Sequence, residues 1–188
     1  FLHGQTSSDI ENLQDGIFRK SCWLSPKGRL KAILEIRVKN NVAEIYGISG
    51  SFDDFIAYLD RCIFPADKVK IDSTGLMRRL QYMSFDQSWK KTNFYYLQNQ
   101  EPLLECFKDF FPSDSKQFEY WRLIQGIPIK IKEFNNDINP YELGLADLVD
   151  LKKGCYVGQE MMAKLKNLGT LKQELRFWRS KKILSNCQ

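Results

Sequence analysis

Three consecutive strands joined by tight turns are predicted between residues 17 and 48, and they constrain the fold more than any other feature. Apolar residues alternate with mostly charged residues over 30–38, a pattern typical of a strand with one buried face and one wet face. The segment 25–28, Ser-Pro-Lys-Gly, suits a type I turn, with Pro second and Gly fourth. The pair Asn40-Asn41 provides the next turn. Because tight turns join antiparallel neighbours, this region predicts an antiparallel sheet.

The rest of the chain alternates between predicted helices and short strands. Capping-box spacing at Ser8 predicts a short helix to Leu13, and apolar residues on one face predict a helix after Ser51. Further helices are predicted at 103–112, 115–125 and 159–167, a helical turn at 145–149, and strands at 69–71, 78–85, 92–97 and 171–178. This order indicates an α+β protein with largely antiparallel sheet.

The segment 153–160, Lys-Gly-Cys-Tyr-Val-Gly-Gln-Glu, places a thiol between two glycines just ahead of a predicted helix. Gly154 and Gly158 permit backbone conformations that a Cβ would obstruct. The first turn of the helix offers free amide groups and the positive end of the helix dipole. A cysteine in such surroundings can have a lowered pKa and thiolate character, so Cys155 is the main candidate for chemistry.

Five segments, in order, resemble motifs of the YgfZ-type folate-binding proteins, relatives of the glycine cleavage T protein (aminomethyltransferase). They are FLHGQTSSDI at 1–10, CWLSPKGR at 22–29, RLIQGIP at 122–128, PYELGL at 140–145, and the octapeptide at 153–160. The resemblance implies a GcvT-like fold, with helices and sheets packed around a central cleft that binds tetrahydrofolate or a one-carbon-substituted folate. It also implies that 1–169 is the folate-binding domain, truncated at its N-terminus. Residues 170–188 would then begin a link to a C-terminal β-barrel.

The resemblance implies five folate contacts, and each has an alternative. A carboxylate at Glu142 suits the edge of a pterin, because it accepts two parallel N–H bonds, or it is a surface residue. Arg122 either pairs with Glu142 or reaches the folate tail. Lys153 contacts the folate carboxylates, lowers the pKa of the neighbouring thiol, or faces solvent. Tyr156 stacks on a flat ring or belongs to the core, and Gln5 bonds the ligand or caps a helix.

The other residues of the octapeptide have chemical and structural interpretations. The Cys155 thiolate would attack an electrophile, contact a cluster ligand or undergo redox exchange, or the residue is a buried structural cysteine. Gln159 and Glu160 orient the loop or cap the helix. The single histidine, His3, is the only residue that could complete a Cys-His pair.

Two departures from the T-protein pattern argue against aminomethyl transfer. Ile33 stands where T proteins carry an acid after the glycine turn, and Ile124 replaces a second acid. An apolar side chain supplies no general acid or base. Weaker folate binding is also expected, because both acids belong to the pterin site of the T proteins.

Charge and cysteine content limit the kinds of partner and the cellular compartment that the sequence predicts. The net charge is +5, and residues 151–188 hold nine Lys or Arg against two Glu. A second basic cluster over 19–39 is opposed only by Glu35. These are solvated faces or an anion-binding surface, and no aromatic-basic motif predicts direct nucleic-acid binding.

The five cysteines form no CxxC pair, so neither a metal site nor a disulfide framework is expected. This cysteine usage favours a reducing, cytoplasmic compartment. No apolar run approaches the roughly 18 residues of a membrane span.

The sequence therefore predicts a tetrahydrofolate-binding protein that supports iron–sulfur cluster assembly or repair and, indirectly, tRNA modification. Its partners would be iron–sulfur proteins or their assembly machinery. A non-enzymatic role is favoured over two alternatives. One is an aminomethyltransferase-like one-carbon transferase with Glu142 as its remaining acid, and the other is an interaction module that has lost folate binding.

Overall fold

A computed structural model describes residues 1–129, 133, 137–169 and 171–176. The strands are β1 (Phe18–Leu24), β2 (Leu30–Lys39), β3 (Val42–Gly50), β4 (Met77–Gln81) and β5 (Phe94–Gln98). The α-helices are α1 (Leu2–Gln5), α2 (Phe52–Cys62), α3 (Ser115–Ile124) and α4 (Gln159–Leu168). Single 3-10 turns occur at Pro65–Asp67, Glu105–Phe107 and Ala146–Leu148.

Every strand pair in the described residues is antiparallel. The larger sheet has the order β1-β2-β3, and β4 pairs with β5 in a two-stranded ribbon. The predicted turn closes the first hairpin, because the Gly28 N–H donates to the Ser25 carbonyl at 2.8 Å. These observations confirm the α+β class and its antiparallel sheets.

The middle of β2 is buried on both faces, which contradicts the prediction of a wet face there. One face packs on α2, where Leu34 and Ile36 meet Phe55. On the other face, Ile33 lies in a core with Trp89 and Trp121. Both Ile33 and Glu35, on the face predicted to be wet, are fully buried. The larger sheet is thus a middle layer, and the second core lies where β2 carries its single acid.

Three predicted elements are wrong. No helix forms over 8–13, where His3 Nδ1 accepts from the N–H groups of Ile10 and Glu11, and Asp9 accepts from that of Asn12. The segment 69–71 is not a strand, and only a 3-10 turn remains of the helix predicted at 103–112.

The C-terminal predictions are tested only in part. Residues 171–176 lie outside any strand, and the remainder of the strand predicted to 178 lies outside the described residues. The same holds for 177–188, most of the predicted link. Within the ranges that the structure describes, no helix combines the length and the apolar character needed to cross a membrane.

Candidate functional site

The octapeptide is fastened to the N-terminal segment by the side chain of Lys153. Its ammonium donates to the backbone carbonyls of His3, Thr6 (2.6 Å) and Ser8 (2.9 Å). It also lies 4.9 Å from the centre of the Tyr156 ring. Three acceptors match the three N–H bonds of an ammonium group. Lys153 is therefore a buried structural cation rather than a solvent-facing residue.

Burial lowers the pKa of Lys153 to about 8. In an unfolded chain, lysine has a pKa of about 10.4, so above pH 8 the unfolded chain holds the proton that the folded chain releases. We expect the contribution of this group to stability to rise with pH between those two values. An NMR titration of the lysine side chains measures the pKa of Lys153, from which this expectation follows. Lys70, whose ammonium donates a hydrogen bond to Asp72 that raises the lysine pKa, is the control, and a Lys153 that titrates with Lys70 would contradict the expectation.

Two glycines let the turn at 25–28 dock against the start of α4. Gly158 has φ +84°, and a Cβ there would lie 2.6 Å from the Ser25 carbonyl oxygen. Gly28 has φ +70°, and its Cβ would lie 2.9 Å from the Cβ of Met161. Gly154 differs, because it has no positive φ and its Cβ would meet nothing nearer than 3.7 Å. The expected backbone requirement thus holds for Gly158 and not for Gly154.

Cys155 lies on the loop ahead of α4, with an exposed free thiol. Its loop is held from both sides: the Val157 N–H donates to the Gly4 carbonyl at 3.3 Å, and Gln159 Nε2 donates to the Leu151 and Lys153 carbonyls. Glu160 is exposed in the first turn of α4. The structure therefore excludes the buried-cysteine interpretation and supports loop orientation as the role of Gln159.

Tyr156 points the other way, into the core that contains Trp89 and Trp121. Burial raises the pKa of its hydroxyl, and that hydroxyl has no hydrogen-bond partner among the described residues. This placement agrees with the interpretation of Tyr156 as a core aromatic.

The remaining predicted folate residues are engaged elsewhere. Arg122 makes two 2.7 Å bonds to Glu119 and reaches Glu133 at 3.0 Å, so its predicted pairing with Glu142 does not form. Glu142 is buried, accepts the Asn139 N–H at 2.8 Å and lies 4.0 Å from Arg29. Gln5 accepts a 2.8 Å bond from the Tyr58 hydroxyl. None of the five residues lines either of the two cavities that the structure describes.

A cavity of about 280 Å³ lies between β3, the β4–β5 ribbon and α3. We call it the aromatic pocket, because four of its lining side chains are aromatic. Its lining side chains include Arg79, Gln81, Trp89, Tyr96, Phe118 and Trp121. Flat rings stack on such walls. A second groove, of about 340 Å³, lies along α4; among its described lining residues only Lys166 is charged, so it offers less for specific binding.

One wall of the aromatic pocket is backed by a buried charge cluster that we call the Glu35 cluster: Glu35, Lys20, Arg79 and Tyr96. Arg79 donates to both oxygens of Glu35 at 2.8 Å, and the Tyr96 hydroxyl donates to Oε2 at 2.6 Å. Lys20 Nζ lies 3.2 Å from Oε1. Paired strands position these groups, because Glu35 lies opposite Lys20 in the β1–β2 register and Arg79 opposite Tyr96 in the β4–β5 register.

Burial and charge shift the titration of the cluster in different directions. Burial lowers the pKa of Lys20 and raises that of Tyr96, where the charge of Glu35 adds to the effect. For Arg79, burial opposes the charge, but the hydrogen bonds and charge of Glu35 outweigh it and raise the pKa. Arg79 therefore remains a cation at the pocket wall at any physiological pH.

Sequence reasoning found this cluster only as a lone acid among basic residues. Part of the predicted basic surface is in fact used internally, since Lys20 pairs with Glu35 and Arg37 with Glu44, and Arg29 donates to the Asp137 carbonyl. The signal that sequence offered was the position of Glu35, two residues from Ile33 on the same face of β2. Among the described residues, no three His, Cys, Asp or Glu side chains form a metal-binding group.

The described residues form an α+β protein with a cavity lined by aromatic side chains, and the chain is similar to several curated proteins. The chain is 26% identical, over 93% of its length, to the Arabidopsis thaliana protein named "Putative transferase At1g60990, chloroplastic". It is 24% identical, over 93% of its length, to an uncharacterised protein of Haemophilus influenzae. Over 36% of its length it is 31% identical to a mitochondrial "Iron-sulfur cluster assembly factor IBA57 homolog" of Phaeosphaeria nodorum. No family model matches the chain.

The chain is shorter than each of these relatives. It spans 50% of the Arabidopsis protein, 65% of the Haemophilus protein and 18% of the Phaeosphaeria protein. The chain thus corresponds to a part of the curated relatives that it matches.

Proposed function

We propose that this chain is the folate-binding part of a YgfZ-type protein that supports iron–sulfur cluster assembly or repair. The observation that carries the proposal is its similarity to a protein named as an iron–sulfur cluster assembly factor. The five ordered sequence motifs support the same family. A role with iron–sulfur proteins or their assembly machinery, an indirect effect on tRNA modification and a cytoplasmic location belong to this proposal.

The aromatic pocket is the site that we propose for tetrahydrofolate or a one-carbon-substituted folate. Its rings suit a flat heterocycle or a benzoyl group, whereas Tyr156 and Gln5 are already packed or bonded. Ligand cavities usually measure about 300–1,000 Å³. At about 280 Å³ this pocket fits one end of a folate, so the rest of the molecule would lie outside it.

The one-carbon transferase is the weaker alternative on chemical grounds. General acid–base transfer needs a carboxyl group within reach of the ligand. Ile33 is fully buried in the core, and both oxygens of Glu35 already accept bonds from Arg79, Tyr96 and Lys20. Glu142 does not line the pocket. Among the described residues, this wall therefore holds no acid that is free to exchange a proton.

Cys155 is the residue that we propose for the step toward iron–sulfur proteins. Its thiol is exposed, so a partner protein can reach it, and Lys153 fixes the loop that presents it. The thiol does not line the aromatic pocket. Folate binding and thiol chemistry are therefore separable by mutation.

Calorimetric titration of tetrahydrofolate and its 5-formyl analogue into the protein tests the folate assignment. We expect saturable binding, and a rise in Kd of roughly two- to tenfold in Phe118→Ala, because an aromatic contact contributes about 0.5–1.5 kcal/mol. Tyr120→Ala is the matched control on α3, since Tyr120 does not line the pocket. Cys155→Ala should bind as the parent protein does. Absence of binding to both folates would refute the folate assignment and favour the interaction module.

A further inference from the structure

The charge cluster behind the aromatic pocket is unbalanced. One carboxylate, Glu35, faces two basic side chains, Lys20 and Arg79. The Glu35 side chain is 0% exposed, while that of Arg79 is 23% exposed and lines the pocket. An uncompensated charge in a poorly solvated place is unfavourable. An anion that enters the pocket would therefore improve the electrostatic balance.

The hydrogen-bonding groups at this wall are mainly donors. Glu35 uses both oxygens within the cluster, and the amide of Gln81 accepts from Arg79 and donates to the Trp89 carbonyl. A guanidinium group has five N–H donors. Arg79 uses Nε and Nη2 toward Glu35 and Nη1 toward Gln81, which leaves one further hydrogen on each terminal nitrogen. The wall can therefore donate to a ligand oxygen, and its described residues offer no unengaged carboxylate to a guanidine-like ligand edge.

We propose that the aromatic pocket binds an aromatic ring that carries a carboxylate, with the ring between Trp89, Tyr96 and Phe118 and the carboxylate paired with Arg79. Glu35 acts as a positioning residue, because its two bonds fix the plane of the guanidinium. The binding of an aromatic carboxylate does not depend on the proposed function. Only the identification of that ligand as part of a folate rests on it. In a folate, the end that fits is the benzoyl-glutamate end with its acids, so the pterin edge would lie away from Arg79.

Two probes of equal size separate charge from shape. We expect 4-aminobenzoate to bind the protein about tenfold more tightly than neutral 4-aminobenzamide, since a hydrogen bond to a charged group exceeds a neutral one by about that factor. Quenching of tryptophan fluorescence reports occupancy, because Trp89 and Trp121 line the pocket. A third arm, 4-aminobenzoylglutamate, shows whether the aryl end of a folate is accepted as well as a free aryl acid. Equal binding of benzoate and benzamide, or binding of neither, would overturn the proposal.

Arg79→Met should abolish the preference for benzoate, and Arg78→Met is its matched control. Arg78 follows Met77 on the same strand but does not line the pocket, and it donates to the Gln98 carbonyl instead. Glu35 keeps Lys20 and Tyr96 as partners in Arg79→Met, and the two probes on the parent protein decide the question if the variant does not fold. A preference that survives in Arg79→Met would refute the role of Arg79.

The outcomes also separate this inference from the folate proposal. Tight binding of tetrahydrofolate without any preference for benzoate would leave the folate assignment standing and remove the Arg79 site. A preference for benzoate without folate binding would support the Arg79 site and refute the folate assignment.

Discussion

Glu35→Gln should lower the free energy of unfolding by about 3–5 kcal/mol, the usual cost of removing one partner from a buried ion pair. The side chain of Glu35 is 0% exposed and compensates two basic groups. The substituted amide keeps the shape but carries no charge, so Arg79 and Lys20 would repel each other without a counter-ion. Urea unfolding, followed by tryptophan fluorescence, measures the loss.

Glu44→Gln is the matched control for that experiment. Glu44 pairs with Arg37 on the neighbouring strand, but its side chain is 33% exposed, and exposed ion pairs contribute about 0–1 kcal/mol. The expected contrast is therefore several-fold. If both variants lost the same free energy, burial of the Glu35 cluster would not be the source of its contribution.

The antiparallel sheet was predictable because its signals are local. Alternation of apolar residues and the turn at 25–28 are read from adjacent positions, and both agree with the observed hairpin. The same local pattern misled on exposure. An alternating pattern of charged residues is the same whether those residues face water or a buried partner. Glu35 bonds to Arg79, which is 44 residues away in the chain, so the local pattern does not reveal its burial.

The candidate site was less predictable for the same reason. The sequence predicts Lys153 at the surface or at a ligand, but its acceptors are backbone carbonyls about 150 residues away in the chain. Every residue has a backbone carbonyl, so the sequence does not indicate which carbonyls accept a bond. The aromatic pocket is assembled from three separate regions of the chain, and only the fold brings them together.

Gly158→Ala has the second large expected effect, a loss of about 2–6 kcal/mol in the free energy of unfolding. Two causes add. A non-glycine residue in the left-handed region costs about 1–3 kcal/mol, and Gly158 has φ +84°. The new Cβ would also lie 2.6 Å from the Ser25 carbonyl oxygen, and forcing atoms into a packed site costs about 1–3 kcal/mol more.

Gly154→Ala separates a packing requirement from a motif requirement, because Gly154 belongs to the same octapeptide. A Cβ there would meet only the His3 ring, at 3.7 Å, and its backbone has no positive φ, so we expect a change within about 0.5 kcal/mol, as for most surface substitutions. Thermal or urea unfolding of both variants makes the comparison. If Gly154→Ala were as damaging as Gly158→Ala, the docking of turn 25–28 against α4 would not explain the glycines. If Gly154→Ala kept its stability but lost the proposed thiol function, Gly154 would serve the loop that presents Cys155.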